Sequence, residues 1–509
     1  MGIALLALAV RLPQLGERPM HTDEAVNAYI TGELLAGETF HYDPKDRHGP
    51  ALYLLAEPVA RLGGERNFSG LTEAQLRLST VLAGTATVLL LGAGVELFGF
   101  IPCLVAALLF AFAPLPVYYN RYFIHETLFV AATLGLILSG GRAGTPISRS
   151  ARMDDNFKLA GRETGVPWSA AVAGGCAALM LAGKETALIH FFALAVAAVV
   201  GWLWSARTSP RFETGRQVVQ SESGVLPPHS RPAALIVIAL GVFLPTAVLL
   251  FTGGGKSWSA LADLFQAISN FAARAGGQGH EKPFWYYAAL LAGGWSGKII
   301  LLLAAVGFLQ AVRQPASRAR FVMAVYGLLV FGIYSVIPYK TPWLALNFWL
   351  PLAMLAGVAL EWLWYKFPRP AARAVILVLI GGTGLLMAHD TDQRVFKIPA
   401  DEKNPYAYAH TGEDLMRLPG RLEALAAKDN LASPRIAVVA ADAWPLPWYL
   451  RKFSKVGFWQ PGQEPGAADY FITTTDVSGK LAERLINFRP EFFGVRPNVL
   501  IILWTPKSP

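Results

Sequence analysis

The sequence predicts a mainly α-helical membrane protein, a polytopic bundle of about eleven transmembrane helices followed by a small α/β domain. Of the 509 residues, 54% are hydrophobic and only 16% are charged. The mean hydropathy of +0.40 is too high for an ordinary soluble enzyme. After residue 390, apolar runs of membrane-spanning length give way to mixed sequence. We therefore assign residues 1–390 to the bundle and residues 391–509 to the second domain.

The bundle is defined by apolar stretches of the length that crosses a bilayer as a helix, roughly 17 to 25 residues. They cover residues 2–15, 76–98, 100–118, 122–140, 168–183, 186–204, 233–252, 298–312, 321–337, 343–364 and 374–388. The first stretch is short and has almost no basic residues before it. It is therefore a poor candidate for a signal peptide.

The distribution of Lys and Arg predicts the orientation of the bundle. These residues collect in the segments on one side, which is therefore cytoplasmic: 141–167, 205–232, 313–320 and 365–373. The other side receives loops 16–75 and 253–297 and everything after residue 390, and loop 16–75 holds ten acidic against five basic residues. We expect a multi-pass protein of the cell (inner or plasma) membrane with an extracytoplasmic C-terminal domain. The sequence has no basic patch interleaved with aromatic residues, so we do not expect the protein to bind nucleic acid.

The C-terminal domain contains short runs typical of β-strands at 435–440, 470–474 and 499–504. Helix-compatible stretches, 412–428 and 478–487, separate them. This alternation predicts a small α/β domain. The sequence contains no glycine-rich nucleotide-binding motif, so we assign the domain no nucleotide site.

The candidate functional groups are ionisable residues at the extracytoplasmic ends of the spans, since charge near hydrocarbon is costly and is usually kept for a partner or substrate. The acidic pair Asp23 and Glu24 follows the first span, with His21 before it. Further candidates are Arg47, His48, Arg121, His125, Glu126, Lys184, Glu185, His280, Lys282, Lys340 and Trp343. Such a group of cations and carboxylates suits an anionic headgroup and a general base that acts on a hydroxyl.

Individually, these residues also admit purely structural roles. Lys184 and Glu185 could pair at a tight turn, Arg121 and Lys340 could contact lipid headgroups, and Glu126 with His125 could stabilise a helix start. His280 could simply be an exposed residue, and Trp343 could belong to an interfacial aromatic belt. The group as a whole favours function more strongly than any member does.

Short motifs lie at these residues: His21-Thr22-Asp23-Glu24-Ala25, Arg47-His48-Gly49-Pro50-Ala51-Leu52-Tyr53, the turn from Arg121 to Glu126, the loop from His280 to Tyr287, and Lys340-Thr341-Pro342-Trp343. With them the sequence resembles the GT-C glycosyltransferases, within which it is similar to the family-39-like group of protein O-mannosyltransferases and the aminoarabinose transferase of lipid A. The run from Trp444 to Leu450 adds a closer similarity to the flippase-activity-associated membrane proteins of archaeal-type glycosylation.

The resemblance implies an enzyme that takes a sugar from a polyprenyl-phosphate-linked donor and passes it to an acceptor glycan, lipid or protein at the extracytoplasmic face. It implies that Asp23 is the catalytic base or orients the acceptor, and that Glu24 is its partner. Arg47 and His48 occupy the place of a donor-binding lysine–proline element, although this sequence lacks the lysine and the first proline. The cations implied to clamp the lipid phosphate are Arg121, Lys184, Lys340 and Lys282.

The only cofactor that the sequence suggests is a divalent metal ion held by Asp23, Glu24 and His280, since hard cations favour carboxylates. A non-catalytic protein that binds or helps to translocate a polyprenyl-linked glycan is the alternative function. A secondary transporter is less compatible, because no internal repeat or pair of interrupted helices marks a midplane site.

Overall fold

The computed structural model describes residues 1–45, 47–143, 156–208, 231–277, 279–313, 318–476 and 480–507. The predicted cytoplasmic segments 141–167, 205–232 and 313–320 lie partly outside these described residues. In the described ranges the chain is mainly helical, with one five-stranded sheet near its C-terminal end.

The α-helices fall into two groups by sequence position. Those up to the predicted domain boundary are α1 Gly2–Arg11, α2 Thr22–Leu35, α3 Ala51–Leu62, α4 Glu73–Ala93, α5 Val95–Phe98, α6 Phe100–Phe112, α7 Pro114–Asn120, α8 Glu126–Ala143, α9 Asn156–Gly183, α10 Ala187–Thr208, α11 Arg231–Phe251, α12 Ala260–Arg274, α13 Tyr286–Leu291, α14 Gly294–Arg313, α15 Arg318–Val336, α16 Ala345–Lys366 and α17 Pro370–Thr391. Those beyond it are α18 Leu418–Lys428, α19 Leu446–Tyr449 and α20 Lys480–Arg484.

Among the described residues, seven helices are long and apolar enough to cross a membrane, and the bent pair α6 and α7, with 58° between its axes, makes an eighth. These eight match eight of the eleven predicted spans, so the chain is a multi-pass membrane protein. The count of eleven is not confirmed. The remaining predictions correspond to α1, which has only ten residues, to α8, which carries Glu126 and Arg142 at its ends, and to the short apolar part of α9.

Among the seven long apolar helices of the described residues, α16 is the most buried and α17 the least. Of the apolar part of each helix, 89% is buried in α16 and only 6% in α17. Helix α16 packs against α6, α14 and α15. A side chain at Gly307 of α14 would place its Cβ 1.8 Å from the carbonyl oxygen of Leu355. The two backbones can therefore approach closely only because this residue is glycine.

The two predicted extracytoplasmic loops are partly helical, since α2 and α3 lie within 16–75 and α12 and α13 within 253–297. Helices α2 and α3 share one hydrophobic core with the C-terminal domain, which includes Ala25, Leu52, Trp448 and Ile472. The C-terminal domain is therefore packed directly onto the first loop.

The C-terminal sheet has the strand order β2-β1-β3-β5-β4, where β1 is parallel to β2 and β3, and β5 is antiparallel to β3 and β4. The strands are β1 Ile436–Val439, β2 Val456–Trp459, β3 Tyr470–Thr474, β4 Phe488–Arg496 and β5 Val499–Pro506. The predicted α/β character and three strands, β1, β3 and β5, are confirmed. The two edge strands, β2 and β4, escaped prediction because they are half exposed and lack a continuous apolar run.

Candidate active site

The acidic pair lies at the N-terminus of α2, which begins with a capping box. The backbone N–H of Asp23 donates to Nδ1 of His21 at 3.0 Å, and that of His21 donates to Oε2 of Glu24 at 3.2 Å. These bonds satisfy donors that a helix start leaves free. Nε2 of His21 in turn donates to the carbonyl oxygen of Tyr408 at 3.1 Å. The first turn of α2 is thereby fixed to the segment that leads into the C-terminal domain.

Glu24 is fully buried and is held by arginines from two directions. Arg77 donates to both carboxylate oxygens at 2.8 Å, and Arg18 donates to Oε1 at 3.1 Å. The backbone N–H of Phe123 adds a bond to Oε1 at 2.9 Å. Burial alone would raise the pKa of Glu24, but Arg77 and Arg18 hold it well below its ordinary value. Glu24 therefore anchors the site and does not face an open space.

Asp23 has the opposite environment, since its side chain is 49% exposed and lines a cavity of about 490 Å³. The first backbone N–H groups of α2 favour negative charge at this position. The cavity walls also carry ionisable groups from distant parts of the chain. These are His48, His125, Glu126, Lys184, Arg274, Tyr339 and Asp442.

One structural interpretation of the sequence was that Lys184 and Glu185 pair with each other across their turn. In the structure each has a different partner. Lys184 forms an ion pair with Glu126 at the start of α8. Burial opposes the charge on Lys184, but the Glu126 carboxylate outweighs it and raises the pKa of the lysine. Glu185 accepts from Nδ1 of His48 and from the hydroxyl of Tyr42, both at 2.8 Å. Although burial opposes it, His48 lowers the pKa of Glu185 to about 2.

The Arg47-His48-Gly49-Pro50 motif presses against the end of α9. A Cβ at Gly49 would lie 2.3 Å from the carbonyl oxygen of Ala182, so only glycine permits this contact. The close approach places His48 beside Glu185 and leaves Arg47 outside the cavity lining. Arg47 instead lies 3.5 Å from Glu33. Tyr53 lines the cavity and donates to Asn27 Oδ1 at 3.2 Å.

Three of the predicted phosphate ligands, Arg121, Lys282 and Lys340, lie outside the lining of this cavity. Nζ of Lys340 donates to the backbone carbonyls of Lys282 and Ile337. Lys282 packs over the ring of Tyr408, and Arg121 packs over the ring of Phe396. None of these three side chains is among the residues that line the cavity. Arg121 also donates through Nη2 to the carbonyl oxygen of Gln14 at 3.0 Å.

His280 and Trp343 belong to an aromatic group around Tyr408. His280 Nδ1 lies 2.7 Å from the Tyr408 hydroxyl, and the Trp343 ring lies 5.9 Å from both Tyr408 and His21. Trp343 also lines the cavity, whereas His280 does not. The group connects the turn before α16 with the start of α2.

Sequence reasoning missed two ionisable cavity residues, Arg274 and Asp442. Trp444, which begins the run from Trp444 to Leu450, also lines the cavity. Arg274 ends α12, whose amphipathic pattern could have placed it at a surface facing the bundle. Asp442 and Trp444 lie between β1 and α19, and only the docking of the C-terminal domain brings them to the cavity.

The proposed metal ligands do not come together. Glu24 is engaged by arginines, and His280 is bound to Tyr408, so neither joins Asp23. Within the parts of the chain that the structure describes, no group of three or more His, Cys, Asp or Glu side chains is arranged to hold a metal ion.

The fold and the cavity define a multi-pass membrane protein whose polar site lies between bundle, first loop and C-terminal domain. No protein-family model and no curated protein sequence matches the chain. Its fold does match solved structures. ArnT from Cupriavidus metallidurans bound to undecaprenyl phosphate is 14% identical with a TM-score of 0.65, and the match covers 98% of this chain and 97% of that one.

The same ArnT in the apo state is 15% identical, with a TM-score of 0.62 and the same coverage of 98% and 97%. The Archaeoglobus fulgidus oligosaccharyltransferase AglB in complex with an inhibitory peptide and a dolichol-phosphate is 13% identical, with a TM-score of 0.53. That match covers 99% of this chain and 75% of AglB. The chain therefore shares its fold with ArnT and AglB, as its resemblance to the GT-C glycosyltransferases predicted.

Proposed function

We propose that the protein is an integral membrane glycosyltransferase that transfers a sugar from a polyprenyl-phosphate-linked donor to an acceptor hydroxyl on the extracytoplasmic face. One observation carries the proposal: the exposed carboxylate of Asp23 and the cations Lys184 and Arg274 line the same cavity. The fold supports it, because ArnT with this fold was solved with undecaprenyl phosphate bound. The acceptor is a glycan, a lipid or a protein.

In the proposed reaction, Asp23 takes the proton of the acceptor hydroxyl while that oxygen bonds to the anomeric carbon of the sugar. The bond between the anomeric carbon and the phosphate oxygen breaks, and its electron pair leaves with the polyprenyl phosphate. Lys184 and Arg274 stabilise the negative charge that develops there. Glu24 keeps the first turn of α2 in position and does not touch the reacting atoms.

The central test is sugar transfer from labelled polyprenyl-phosphate donors by purified, reconstituted protein. We expect Asp23→Asn to lower kcat by about 10² to 10⁴-fold, the usual contribution of a general base. Its melting temperature should stay unchanged, since the side chain is half exposed. Glu38→Gln, at an exposed carboxylate after α2, is the matched control. Full transfer by Asp23→Asn would refute the proposed base.

The revised phosphate clamp has a separate test in the same preparation. We expect Arg274→Gln to weaken binding of the bare polyprenyl phosphate about 10- to 100-fold, the effect of losing a charge-assisted hydrogen bond. Lys256→Gln, at an exposed lysine in the same extracytoplasmic loop, should bind normally. Equal affinity of the two variants would remove Arg274 from the clamp.

The same assays separate the proposal from a non-catalytic role in lipid handling. That alternative predicts binding and headgroup translocation of polyprenyl-linked glycans without covalent transfer by any variant. Transfer measured with and without a chelator tests for a divalent cation, for which no assembled ligand group was found among the described residues.

A further inference from the structure

The loop that follows β1 brings Asp442 and Trp444 of the C-terminal domain to the cavity. The side chain of Asp442 is 58% exposed, and Trp444 is half-buried. The backbone N–H of Trp444 donates to Oδ1 of Asp442 at 3.1 Å. In such a turn the aspartate side chain bonds to the backbone two residues further on. The turn therefore fixes the carboxylate against the residue that carries the indole ring.

The sheet topology independently marks this loop as a place for a ligand. Strand β1 is parallel to β2 on one side and to β3 on the other. The chain leaves β1 toward β2, whereas it leaves β3 toward β4 and β5 on the opposite side of the sheet. In open α/β sheets, adjacent parallel strands with diverging connections leave a crevice outside their carboxyl ends, where ligands bind. Asp442 and Trp444 follow the carboxyl end of β1.

The second carboxylate oxygen of Asp442 suits a neutral hydrogen-bond donor. Oδ2 lies 4.0 Å from Nη2 of Arg496 in β4, which is too long for a hydrogen bond. At this distance the guanidinium still balances part of the negative charge. A hydroxyl group therefore fits the exposed carboxylate better than a second cation does.

Asp442 gives the cavity a second exposed carboxylate besides Asp23. The third carboxylate among the described residues that line the cavity, Glu126, is paired with Lys184. Asp23 is the proposed base for the hydroxyl that reacts, so Asp442 is left to accept from another hydroxyl of the same molecule. A serine or threonine side chain brings one hydroxyl. A sugar brings several, so two separate carboxylates favour a sugar as the acceptor.

The aromatic side chains beside Asp442 suit the rest of a sugar. Trp444 lines the cavity, and Tyr29 of α2 packs against it with 6.1 Å between the ring centroids and 72° between the ring planes. Tyr29 itself is 39% exposed. A pyranose has an apolar face of C–H groups, which packs on an aromatic ring, and a rim of hydroxyl groups. Aromatic surface with a few placed polar groups is the usual composition of a small-ligand site.

We propose that the acceptor is a carbohydrate, and that Oδ2 of Asp442 accepts a hydrogen bond from one of its hydroxyl groups while its ring packs against Trp444. The inference rests on the proposed function, because it takes the cavity as the place of sugar transfer. It narrows the acceptor from a glycan, a lipid or a protein to a glycan. Asp442 orients this acceptor and takes no proton from it, in contrast to Asp23.

The test measures equilibrium binding of protein in phosphatidylcholine nanodiscs to para-nitrophenyl glycosides of glucose, mannose, galactose and N-acetylglucosamine, to a threonine-containing peptide and to phosphatidylglycerol. We expect the wild type to bind at least one glycoside more tightly than the peptide or the phospholipid. Asp442→Asn keeps an oxygen for the Trp444 backbone and loses the charge. It should bind the preferred glycoside about three- to tenfold more weakly. Loss of a negative charge should not weaken binding of bare undecaprenyl phosphate.

Asp401→Asn is the matched control. Asp401 is exposed and likewise accepts from a backbone N–H two residues further on, that of Lys403 at 2.8 Å. It is not among the described residues that line the cavity, so this variant should bind every probe as the wild type does. Trp444→Ala should weaken binding of the glycoside that Asp442→Asn affects.

Two results would overturn the inference. The first is a wild type that binds no glycoside, or that prefers the peptide or phosphatidylglycerol. The second is equal glycoside binding by Asp442→Asn and Asp401→Asn.

Recognition of the acceptor and catalysis can fail separately. If no sugar is transferred but a glycoside binds and its binding depends on Asp442, the proposed enzymatic function is wrong and the carbohydrate site stands. If transfer depends on Asp23 but its product is a glycosylated peptide, formed equally by the wild type and Asp442→Asn, the inference about the acceptor alone is wrong.

Discussion

Asp23 and Glu24 are adjacent in the sequence, yet they occupy different environments. Successive residues of a helix point about 100° apart, so one carboxylate reaches the cavity while the next is buried. Asp23 is 49% exposed, whereas both oxygens of Glu24 are bound by arginines. The acidic pair therefore divides into a group available for chemistry and a group that holds the helix in place.

Glu24→Gln tests this division. We expect the variant to lose about 3–5 kcal/mol of stability, the usual cost of removing one partner from a buried ion pair, because Arg18 and Arg77 keep their buried charges. Thermal unfolding in detergent gives the measurement, with Asp23→Asn as the matched neighbour. An unchanged melting temperature with a loss of transfer would instead assign Glu24 a direct catalytic role.

The sequence was sufficient to group Asp23, His48, His125 and Lys184, because all four lie on the predicted extracytoplasmic side, at the ends of spans or in the first loop. It could not pair Glu24 with Arg77, since these residues are 53 positions apart and lie on different helices. Lys340 was predicted to be a phosphate ligand because it too lies on the predicted extracytoplasmic side, just before a span. Its neighbours in the fold are backbone carbonyls, which no sequence pattern records.

At the scale of elements, the segment between α2 and α3 determines part of the cavity wall. Gly49 lies against Ala182 at the end of α9, and this contact brings His48 to Glu185. The wall is therefore built by a loop that is pressed onto the turn between α9 and α10.

Gly49→Ala should disturb that wall. The added Cβ would lie 2.3 Å from a carbonyl oxygen of the backbone, which cannot rotate away. We expect a loss of about 1–3 kcal/mol, typical of overpacking, together with weaker donor binding. Gly92→Ala in α4, where nothing lies within 4 Å of the new Cβ, should be neutral or slightly stabilising. Equal behaviour of the two variants would show that the loop adjusts freely.

At the scale of the whole molecule, the C-terminal domain is part of the site. Trp448 is fully buried against the first loop, and its Nε1 donates to Glu73 at 2.7 Å. Four residues earlier, Trp444 lines the cavity beside Tyr29, with 6.1 Å between the ring centroids. The sequence predicted the domain and three of its strands, but its docking depends on contacts between distant residues, such as Met20 and Tyr449, which are 429 positions apart.

The two tryptophans should therefore respond differently. Trp448→Ala is expected to lose about 3–5 kcal/mol of stability, as large-to-small changes of buried aromatic residues do. Trp444→Ala should leave the melting temperature unchanged and lower kcat/KM for the acceptor. Melting curves and transfer kinetics measured on both variants provide the comparison. Loss of stability in Trp444→Ala alone would contradict the assigned positions.

The bond between His21 and Tyr408 joins residues that are 387 positions apart. While only the membrane helices have been synthesised, the carbonyl of Tyr408 that fixes the first turn of α2 is therefore not yet present. The residues around Asp23 can reach the arrangement described above only after the segment that contains Tyr408 has been synthesised and has folded against α2. A chain that stops short of Tyr408 therefore lacks one of the contacts that hold the first turn of α2, and with it the carboxylate of Asp23, in place.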